Sequence, residues 1–469
     1  MVASPWNRRG ASALVGVAAL ASCASSVPTT PPMRGWMTWE RFTCEEDCTK
    51  FPELCIGERL ILTTADAMVS EGFVAMGYNF VQIDDCWLAK KRDENGNLQP
   101  HPDRFPRGIK YIADYLHARG MKLGLYTDIG SATCCGLPSL NVSAVPDESA
   151  DKQLQADIEL MQSWGMDSLK VDGCNANPDT MNLTYPKLAK AMEAAAAKYG
   201  VPRPWYSCSW PDYVGDTHCP EKRGEPCVPL HMIAEYCDSS RIYNDICDAW
   251  EGGKTLQGVK NIIDFWMTNP QLAEVKNSLP ASKRYFHDPD QLIIGNNGLS
   301  KSQAEVQMGM WVMFAAPLVM SNELRNGSLD LAMKNILLNE EVLALSDDTL
   351  GLQATQCLDK HCTSGTTLYD GTTTVWNKTL ADGSVAVALL NTGNFGGPGT
   401  AFSDFNISFT AKAVGLECPG NGLFKVRDLF KHMDAGTYST GFWSEVDTNS
   451  IRLVRLTCLG HQAAEEILV

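Results

Sequence analysis

Short apolar runs that end on carboxylates recur through the first three quarters of the chain, and helical stretches closed by glycine separate them. Tyr78–Ile83 runs into Asp84-Asp85-Cys86-Trp87, Met121–Tyr126 into Thr127-Asp128, and Met166–Val171 into Asp172-Gly173-Cys174. The amphipathic stretches Glu58–Met76 and Ile109–Arg119 stop at Gly77 and Gly120, and the alanine-rich Tyr185–Tyr199 stops at Gly200. Asp151–Trp164, Gly258–Phe265 and Lys301–Ala315 also read as helix; Pro204–Pro211, Tyr285–Ile294 and Pro317–Met320 read as strand. Such alternation predicts parallel strands with crossover helices, and over this length a closed (β/α)8 TIM barrel at residues 32–350. In a barrel of this kind the chemistry sits at the C-terminal strand ends. Asp172 is therefore a candidate catalytic carboxylate, with Lys170 two residues earlier on the same face. Taken alone, a strand-end aspartate serves equally as a helix or turn cap.

A first strand is expected within Met33–Phe42, where Trp36 and Trp39 are spaced to flank a pocket or to pack in the core. From Gly351 the texture changes to Gly, Thr and Asn turns between short alternating segments such as Gly383–Leu390. Residues 351–469 therefore read as an antiparallel β-sandwich domain.

The formal charge of −16 argues against nucleic acid or an anionic membrane surface as partner. Residues 1–27 follow signal-peptide grammar, with Arg8 and Arg9 before an apolar run and then small residues. That run is too short to span a bilayer, and no stable membrane insertion is expected of the rest. Of 17 cysteines, one (Cys23) lies in that leader, leaving an even number that favours disulfides over metal ligation. Sequons at Asn141, Asn182, Asn326, Asn377 and Asn406 suit the same compartment. No zinc spacing occurs, and neither metal nor cofactor is expected.

Several strings fall in one order: Gly35-Trp36 with Trp39-Glu40-Arg41-Phe42, Ile83-Asp84-Asp85-Cys86-Trp87, Leu169-Lys170-Val171-Asp172-Gly173-Cys174, Tyr206-Ser207-Cys208-Ser209-Trp210-Pro211, and Asp288-Pro289-Asp290. Together they closely resemble glycoside hydrolase family 27, the lysosomal α-galactosidases and α-N-acetylgalactosaminidases. The resemblance implies a barrel followed by a β-sandwich, no metal, a homodimer, and a lysosomal or secreted enzyme. The implied activity is exo-acting, retaining hydrolysis of terminal α-linked N-acetylgalactosamine or galactose from glycoconjugates. Asp172 matches the family's nucleophile and Asp245 its general acid/base. Asp84, Asp85 and Lys170 match residues that bind sugar hydroxyls, Trp39 and Tyr126 match pocket walls, and Arg241 lies beside the 2-substituent. Ser209, Asp212, Tyr213 and Asp290 complete the expected substrate-binding set. The mechanism needs Asp172 ionised, helped by Lys170, and Asp245 with a raised pKa so that it holds its proton.

The same likeness implies the disulfides Cys44–Cys86, Cys48–Cys55, Cys134–Cys174 and Cys208–Cys237. Proximity suggests Cys219–Cys227, Cys357–Cys362 and Cys418–Cys458, which leaves Cys135 and Cys247 to pair with each other. In the family, Glu and Leu beside the 2-position mark galactose enzymes, whereas Ser and Ala mark N-acetylgalactosamine enzymes. This chain has Ser209, which favours the N-acetyl sugar narrowly, and Asp212, which fits neither pattern. Gln291 and Phe286-His287 depart from the family pattern and are expected near the pocket rim, and the excursion at 216–229 would narrow the entrance. A glycan-binding protein without catalysis is the remote alternative; it would most simply have lost Asp172 or Asp245.

Overall fold

The computed structural model describes residues 30–215, 229–280, 282–364, 373–393, 405–420 and 422–460. The signal segment, Cys219 and Cys227, and all of the excursion except Pro229 lie outside the described residues.

Eight parallel strands form one sheet: β1 (Arg34–Met37), β2 (Phe80–Gln82), β3 (Lys122–Asp128), β4 (Ser168–Asp172), β5 (Trp205–Cys208), β6 (Ser239–Arg241), β7 (Phe286–Asp288) and β8 (Leu318–Met320). Their order is β7-β6-β5-β4-β3-β2-β1-β8. Just past β7, Leu292 bridges Met320 in parallel and its N–H donates to Val319 O at 2.8 Å, which closes the ring. The strands are short and buried almost throughout, as parallel strands covered by helices must be. Close approach across the ring requires glycine at one point in particular. A Cβ on Gly124 of β3 would fall 1.9 Å from Gln82 Oε1, whose amide Nε2 donates to Leu125 O at 2.6 Å inside the barrel.

The helices are α1 (Trp39–Phe42), α2 (Glu58–Ser70), α3 (Gly108–His117), α4 (Glu148–Ser163), α5 (Met181–Tyr199), α6 (Trp210–Gly215), α7 (Leu230–Tyr236), α8 (Val259–Thr268), α9 (Gln271–Ser278), α10 (Lys301–Met313), α11 (Leu331–Leu337) and α12 (Glu340–Ser346). Asp147 caps α4 and a Ser300–Gln303 capping box starts α10. Gly77 and Gly200 hold the left-handed C-terminal caps that the sequence foreshadows, with φ of 84° and 65°.

Three elements differ from the sequence expectation. The strand in Met33–Phe42 ends at Met37, because the Thr38 carbonyl accepts the Phe42 N–H (3.0 Å) and winds Trp39–Phe42 into a helical turn. The strand in Pro204–Pro211 likewise ends at Cys208, and Trp210–Gly215 is helical. Strand β6 carries no apolar signal, since its serines face polar partners: Ser239 Oγ accepts from Trp205 Nε1 (2.9 Å), and Ser240 Oγ bonds Tyr285 OH (2.7 Å).

The C-terminal domain comprises β9 (Thr355–Gln356), β10 (Thr363–Ser364), β11 (Thr373–Thr379), β12 (Val385–Asn391), β13 (Phe405–Thr410), β14 (Phe424–Asp428), β15 (Met433–Tyr438), β16 (Gly441–Val446) and β17 (Ser450–Cys458). They pair antiparallel into a six-stranded sheet, β15-β14-β17-β12-β11-β9, and a three-stranded sheet, β10-β13-β16. Val387, Leu389, Phe409, Phe424 and Leu456 pack between them. Gly309 of α10 gives Ile451 room to pack, and the buried Lys378 Nζ donates to Val312 O (2.7 Å) and Leu345 O (3.0 Å), tying sandwich to barrel.

Disulfides join Cys44–Cys86, Cys48–Cys55, Cys134–Cys174, Cys208–Cys237, Cys357–Cys362 and Cys418–Cys458. Cys135 and Cys247 do not pair with each other: both are free thiols. Cys135 Sγ instead lies 2.8 Å from Cys44 Sγ, while Cys247 belongs to the segment after β6, beside Glu40 and Asp248. Asn141, Asn182, Asn326 and Asn406 are exposed, whereas Asn377 is a half-buried strand residue whose Nδ2 donates to Val414 O at 3.2 Å.

Candidate active site

The carboxylates at the strand ends converge because parallel strands closed into a barrel all point their C-terminal ends one way. Asp84 and Asp85 follow β2, Tyr126 and Asp128 lie on β3, Lys170 and Asp172 on β4, and Ser209 follows β5. Arg241 ends β6, with Asp245 four residues on; Asp288 ends β7 and Asp290 follows it. Register puts Asp128 directly beside Asp172 and Lys170 beside Tyr126.

Asp172 is fixed by its neighbours. Ser209 Oγ donates to its Oδ1 at 2.5 Å, and Lys170 Nζ stands 3.9 Å from its Oδ2. The direct bond of Lys170, at 2.7 Å, goes to Asp84 Oδ2. Burial disfavours the charge on Lys170, but Asp172 and Asp84 outweigh it and hold the ammonium charged. Asp84 is pushed up to about 6 by burial, against the pull of Lys170. The chain after Asp172 is pinned in three ways. Cys174 N–H donates to Asp128 Oδ2 at 2.8 Å, the Cys134–Cys174 disulfide ties it to the loop after β3, and the Tyr213 ring packs on Gly173. A Cβ on Gly173 would come within 2.5 Å of Met181 Cε and 3.1 Å of Tyr213 Cδ2, so only glycine fits between Asp172 and that ring.

The two acids after β2 are held by backbone. Asp85 N–H donates to Asp84 Oδ1 (2.8 Å), and Asp85 accepts from Cys86 N–H (2.7 Å) and Cys135 N–H (2.9 Å). Both are almost fully buried, and each of their four oxygens already accepts one hydrogen bond, leaving a second lone pair on each for hydroxyl donors. Cys86 and Asp290 adopt left-handed φ of 70° and 80°, the kind of backbone strain that gathers at functional sites.

Arg241 is the second cation. Its Nη2 donates to Tyr243 O (2.9 Å) and Asp245 Oδ1 (3.1 Å) and is ion-paired with Asp290 Oδ2 at 3.0 Å, and its buried Nε has no hydrogen-bond partner among the described residues. The pKa of Asp245 differs from the expectation. Burial pushes it up, but Arg241 and Lys170 outweigh burial and hold the carboxyl below its ordinary value. Asp212 sits in the turn after Ser209, its N–H donating to Ser209 O at 3.1 Å; burial pushes its carboxyl up to about 6 against the pull of Arg241.

Trp39 is half-buried at the start of α1, while Trp36 belongs to the core, its indole donating to Asn322 O at 2.9 Å. Tyr126 is buried, its hydroxyl 3.3 Å from Cys134 Sγ. Phe286 and His287 are not at the rim. Phe286 packs with Met33, Phe80 and Trp205 in a separate cluster, and His287 turns outward to Leu272 O (3.0 Å) and Tyr285 OH (3.2 Å). Gln291 is buried beneath Trp39–Glu40, where its Oε1 accepts the Glu40 N–H at 3.3 Å.

Two further acids end strands, Asp128 β3 and Asp288 β7, and the sequence assigns neither a role. Asp128 is pushed up to about 8, mainly by burial, and Asp288 to about 6 for the same reason. Sulfur and carboxylate atoms gather in two places among the described residues, Cys44 with Cys86 and Cys135, and Asp128 with Cys134 and Cys174. Apart from Cys135, those sulfurs are committed to disulfides, which makes them poor metal ligands.

The family model described as alpha galactosidase A matches residues 30–348, and that described as alpha galactosidase C-terminal beta sandwich domain matches residues 370–456. The α-N-acetylgalactosaminidase of Gallus gallus is 40% identical over 325 residues, 69% of this chain and 72% of that protein. The α-galactosidase A of Homo sapiens is 34% identical over 415 residues, 88% of this chain and 83% of that protein. In fold, the chain is similar to α-galactosidase I from Mortierella vinacea, with a TM-score of 0.72 at 24% identity, covering 93% of this chain and 99% of that one.

Proposed function

The chain belongs to the α-galactosidase family, glycoside hydrolase family 27, and from that premise we propose that it is a retaining exo-glycosidase that removes terminal α-linked N-acetylgalactosamine from glycoconjugates. The observation that carries this reading is the contrast between two acids at the C-terminal end of the barrel, Asp172 ending β4 and Asp245 four residues past β6. Asp172 accepts a 2.5 Å hydrogen bond from Ser209, whereas Asp245 is ion-paired with Arg241 at 3.1 Å.

In the first step Asp172 attacks the anomeric carbon through Oδ2, Oδ1 being occupied by Ser209, while Asp245 gives its proton to the leaving oxygen. In the second step Asp245 takes a proton from water, whose oxygen displaces Asp172 and releases the sugar with its configuration retained. Lys170, Asp84 and Asp85 hold the ring hydroxyls through charge-assisted hydrogen bonds. With Arg241 and Lys170 holding Asp245 below its ordinary value, the proton needed for the first step is present only at acidic pH. The working range therefore falls on the acidic side, which suits the lysosome or an acidic secreted setting. Entry to the secretory pathway through residues 1–27 and assembly as a homodimer are part of the same reading.

Ser209, in place of the glutamate of galactose enzymes, favours the N-acetyl sugar; Asp212 fits neither pattern, and the second reading is an α-galactosidase. The deciding experiment compares turnover of 4-nitrophenyl α-galactoside with its 2-acetamido analogue by the purified protein at acidic pH. Faster cleavage of the acetamido substrate supports the first reading. Preference for the plain galactoside means that Asp212 closes the space beside the 2-position, and hydrolysis of neither would remove the assignment altogether.

A further inference from the structure

The outer face of the three-stranded sheet in the C-terminal domain carries one large aromatic side chain. Along β16, Phe442, Ser444 and Val446 are buried while Trp443 and Glu445 face outward, as in a sheet with one face on a core. Trp443 is 60% exposed, whereas Trp36, Trp87, Trp210, Trp266 and Trp311 are fully buried. An indole left in water forgoes the burial that makes tryptophan worth keeping.

The register supplies a cover for it. Strand β13 pairs with β16 so that Asn406 lies opposite Glu445 and Ser408 opposite Trp443. Opposed residues share a face and alternate residues return to it, so Asn406, Ser408, Trp443 and Glu445 form one outward patch. Within that patch Asn406 is the diagonal neighbour of Trp443, a relation that places Cα atoms about 7–8 Å apart. Asn406-Ile407-Ser408 is an acceptor sequence for N-linked glycans, and Asn406 is exposed. Asn377, the other sequon of this domain, is half-buried with its amide bonded to Val414 O (3.2 Å), and it offers no comparable acceptor.

We propose that Asn406 carries an N-linked glycan whose first N-acetylglucosamine lies against the indole of Trp443. The glycan comes from a lipid-linked oligosaccharide pyrophosphate. The Asn406 amide nitrogen forms the bond to C1 of the sugar, the C1–O bond to pyrophosphate breaks, and the amide gives up one proton. The C–H face of the pyranose then packs on the electron-rich indole face, and Glu445 and Ser408 stand beside it as partners for the sugar's hydroxyl and acetamido groups. The reading accounts together for an exposed tryptophan, its small polar company and the position of the sequon.

The test uses the full chain expressed in a glycosylating host. Peptide mass spectrometry reads occupancy at Asn406, and hydroxyl-radical footprinting reads the accessibility of Trp443 before and after enzymatic removal of the glycan. Asn406 should be modified, and labelling of Trp443 should rise several-fold when the glycan is removed or in Asn406→Gln, with glycosidase turnover unchanged. Glycan removal should lower the Tm of the native protein by about 2 °C and should do less in Trp443→Ser. An unmodified Asn406, or equal labelling of Trp443 with and without the glycan, would overturn the proposal. So would protection of Trp443 that appears only with added free oligosaccharide or only at raised protein concentration, since each identifies a different occupant. If Trp443→Ser fails to fold, the footprint of Asn406→Gln still decides.

Discussion

The two ends of the barrel treat charge in opposite ways. At the N-terminal end, charges are matched. Asp238, 1% exposed, accepts from Arg203 (2.8 Å), from Arg284 (2.7 and 2.9 Å) and from the Tyr206 N–H (2.8 Å). Asp167 accepts from the Leu123 N–H (2.8 Å) and pairs with His117 (2.7 Å), and Arg34 pairs with Asp347. At the C-terminal end, Asp84, Asp172, Asp245 and Asp290 share Lys170 and Arg241. Burial pushes Asp84, Asp212 and Asp288 up to about 6 and Asp128 to about 8. One end of the same scaffold uses its ion pairs for stability, while the other keeps carboxylates that cost stability, as the proposed substrate site would require.

Matched substitutions should separate the two ends. Asp172→Asn should cut turnover by roughly 10^4-fold or more, as loss of a nucleophile does, and leave the melting temperature unchanged or slightly raised. Asp238→Asn should do the reverse. It leaves two arginines sharing a neutral partner and should cost about 3 kcal/mol, lowering Tm while kcat/KM of the folded enzyme stays as in the native protein. Initial rates and thermal melting on both variants decide the matter, and a crossed result, with Asp238→Asn inactive but stable, would break the division.

That division was partly legible in the sequence. The acids of the catalytic end announce themselves because each follows an apolar run, so Asp84, Asp128 and Asp172 could be read as strand ends before any family likeness. Strand β6 could not, because Ser239-Ser240-Arg241 is polar and its serines satisfy partners on other strands. Phe286 and His287 were misplaced at the rim because sequence distance from Asp290 says nothing about which way a strand residue turns. An even cysteine count could not tell that Cys135 and Cys247 lie in separate surroundings. The downward shift of Asp245 depends on the charges of Arg241 and Lys170, together with the one Arg241 hydrogen bond, outweighing burial, a geometry that no motif encodes.

The comparison also predicts how stability varies with pH. Asp84, Asp128, Asp212 and Asp288 have folded pKa values above their ordinary one, so the folded state binds more protons than the unfolded chain between about pH 4 and 8. The stability they contribute is fully present below about pH 4 and is lost as pH rises through the folded values. Calorimetry should give a higher Tm at pH 5 than at pH 8, with stability falling by several kcal/mol over that range; a Tm that rises over that range would contradict the picture of unmatched acids.

Ser209→Ala probes a neutral group that supports Asp172, the proposed nucleophile. Loss of the 2.5 Å donor to Asp172 should lower kcat/KM about tenfold. The loss should fall on the plain and the acetamido substrate alike, since it acts through the carboxylate that would attack either sugar. A loss confined to the acetamido substrate would mean that Ser209 touches the sugar and does not act through Asp172.

Asp212→Ala should have the smallest effect and shows most directly what the catalytic end gives up. Its carboxyl is half-buried, pushed up to about 6 by burial, pulled down by Arg241 and raised further by Asp245 and Asp172. Alanine enlarges the space beside the 2-position and should raise the kcat/KM ratio of the acetamido substrate over the plain galactoside by about fivefold. It also removes an acid that is charged at pH 7 and mostly protonated at pH 5, so any gain in Tm should be larger at pH 7. If the substrate ratio moves but the Tm does not, Asp212 shapes the pocket without loading the fold. If the Tm moves and the ratio does not, Asp212 belongs with the charges that the matched end would have paired.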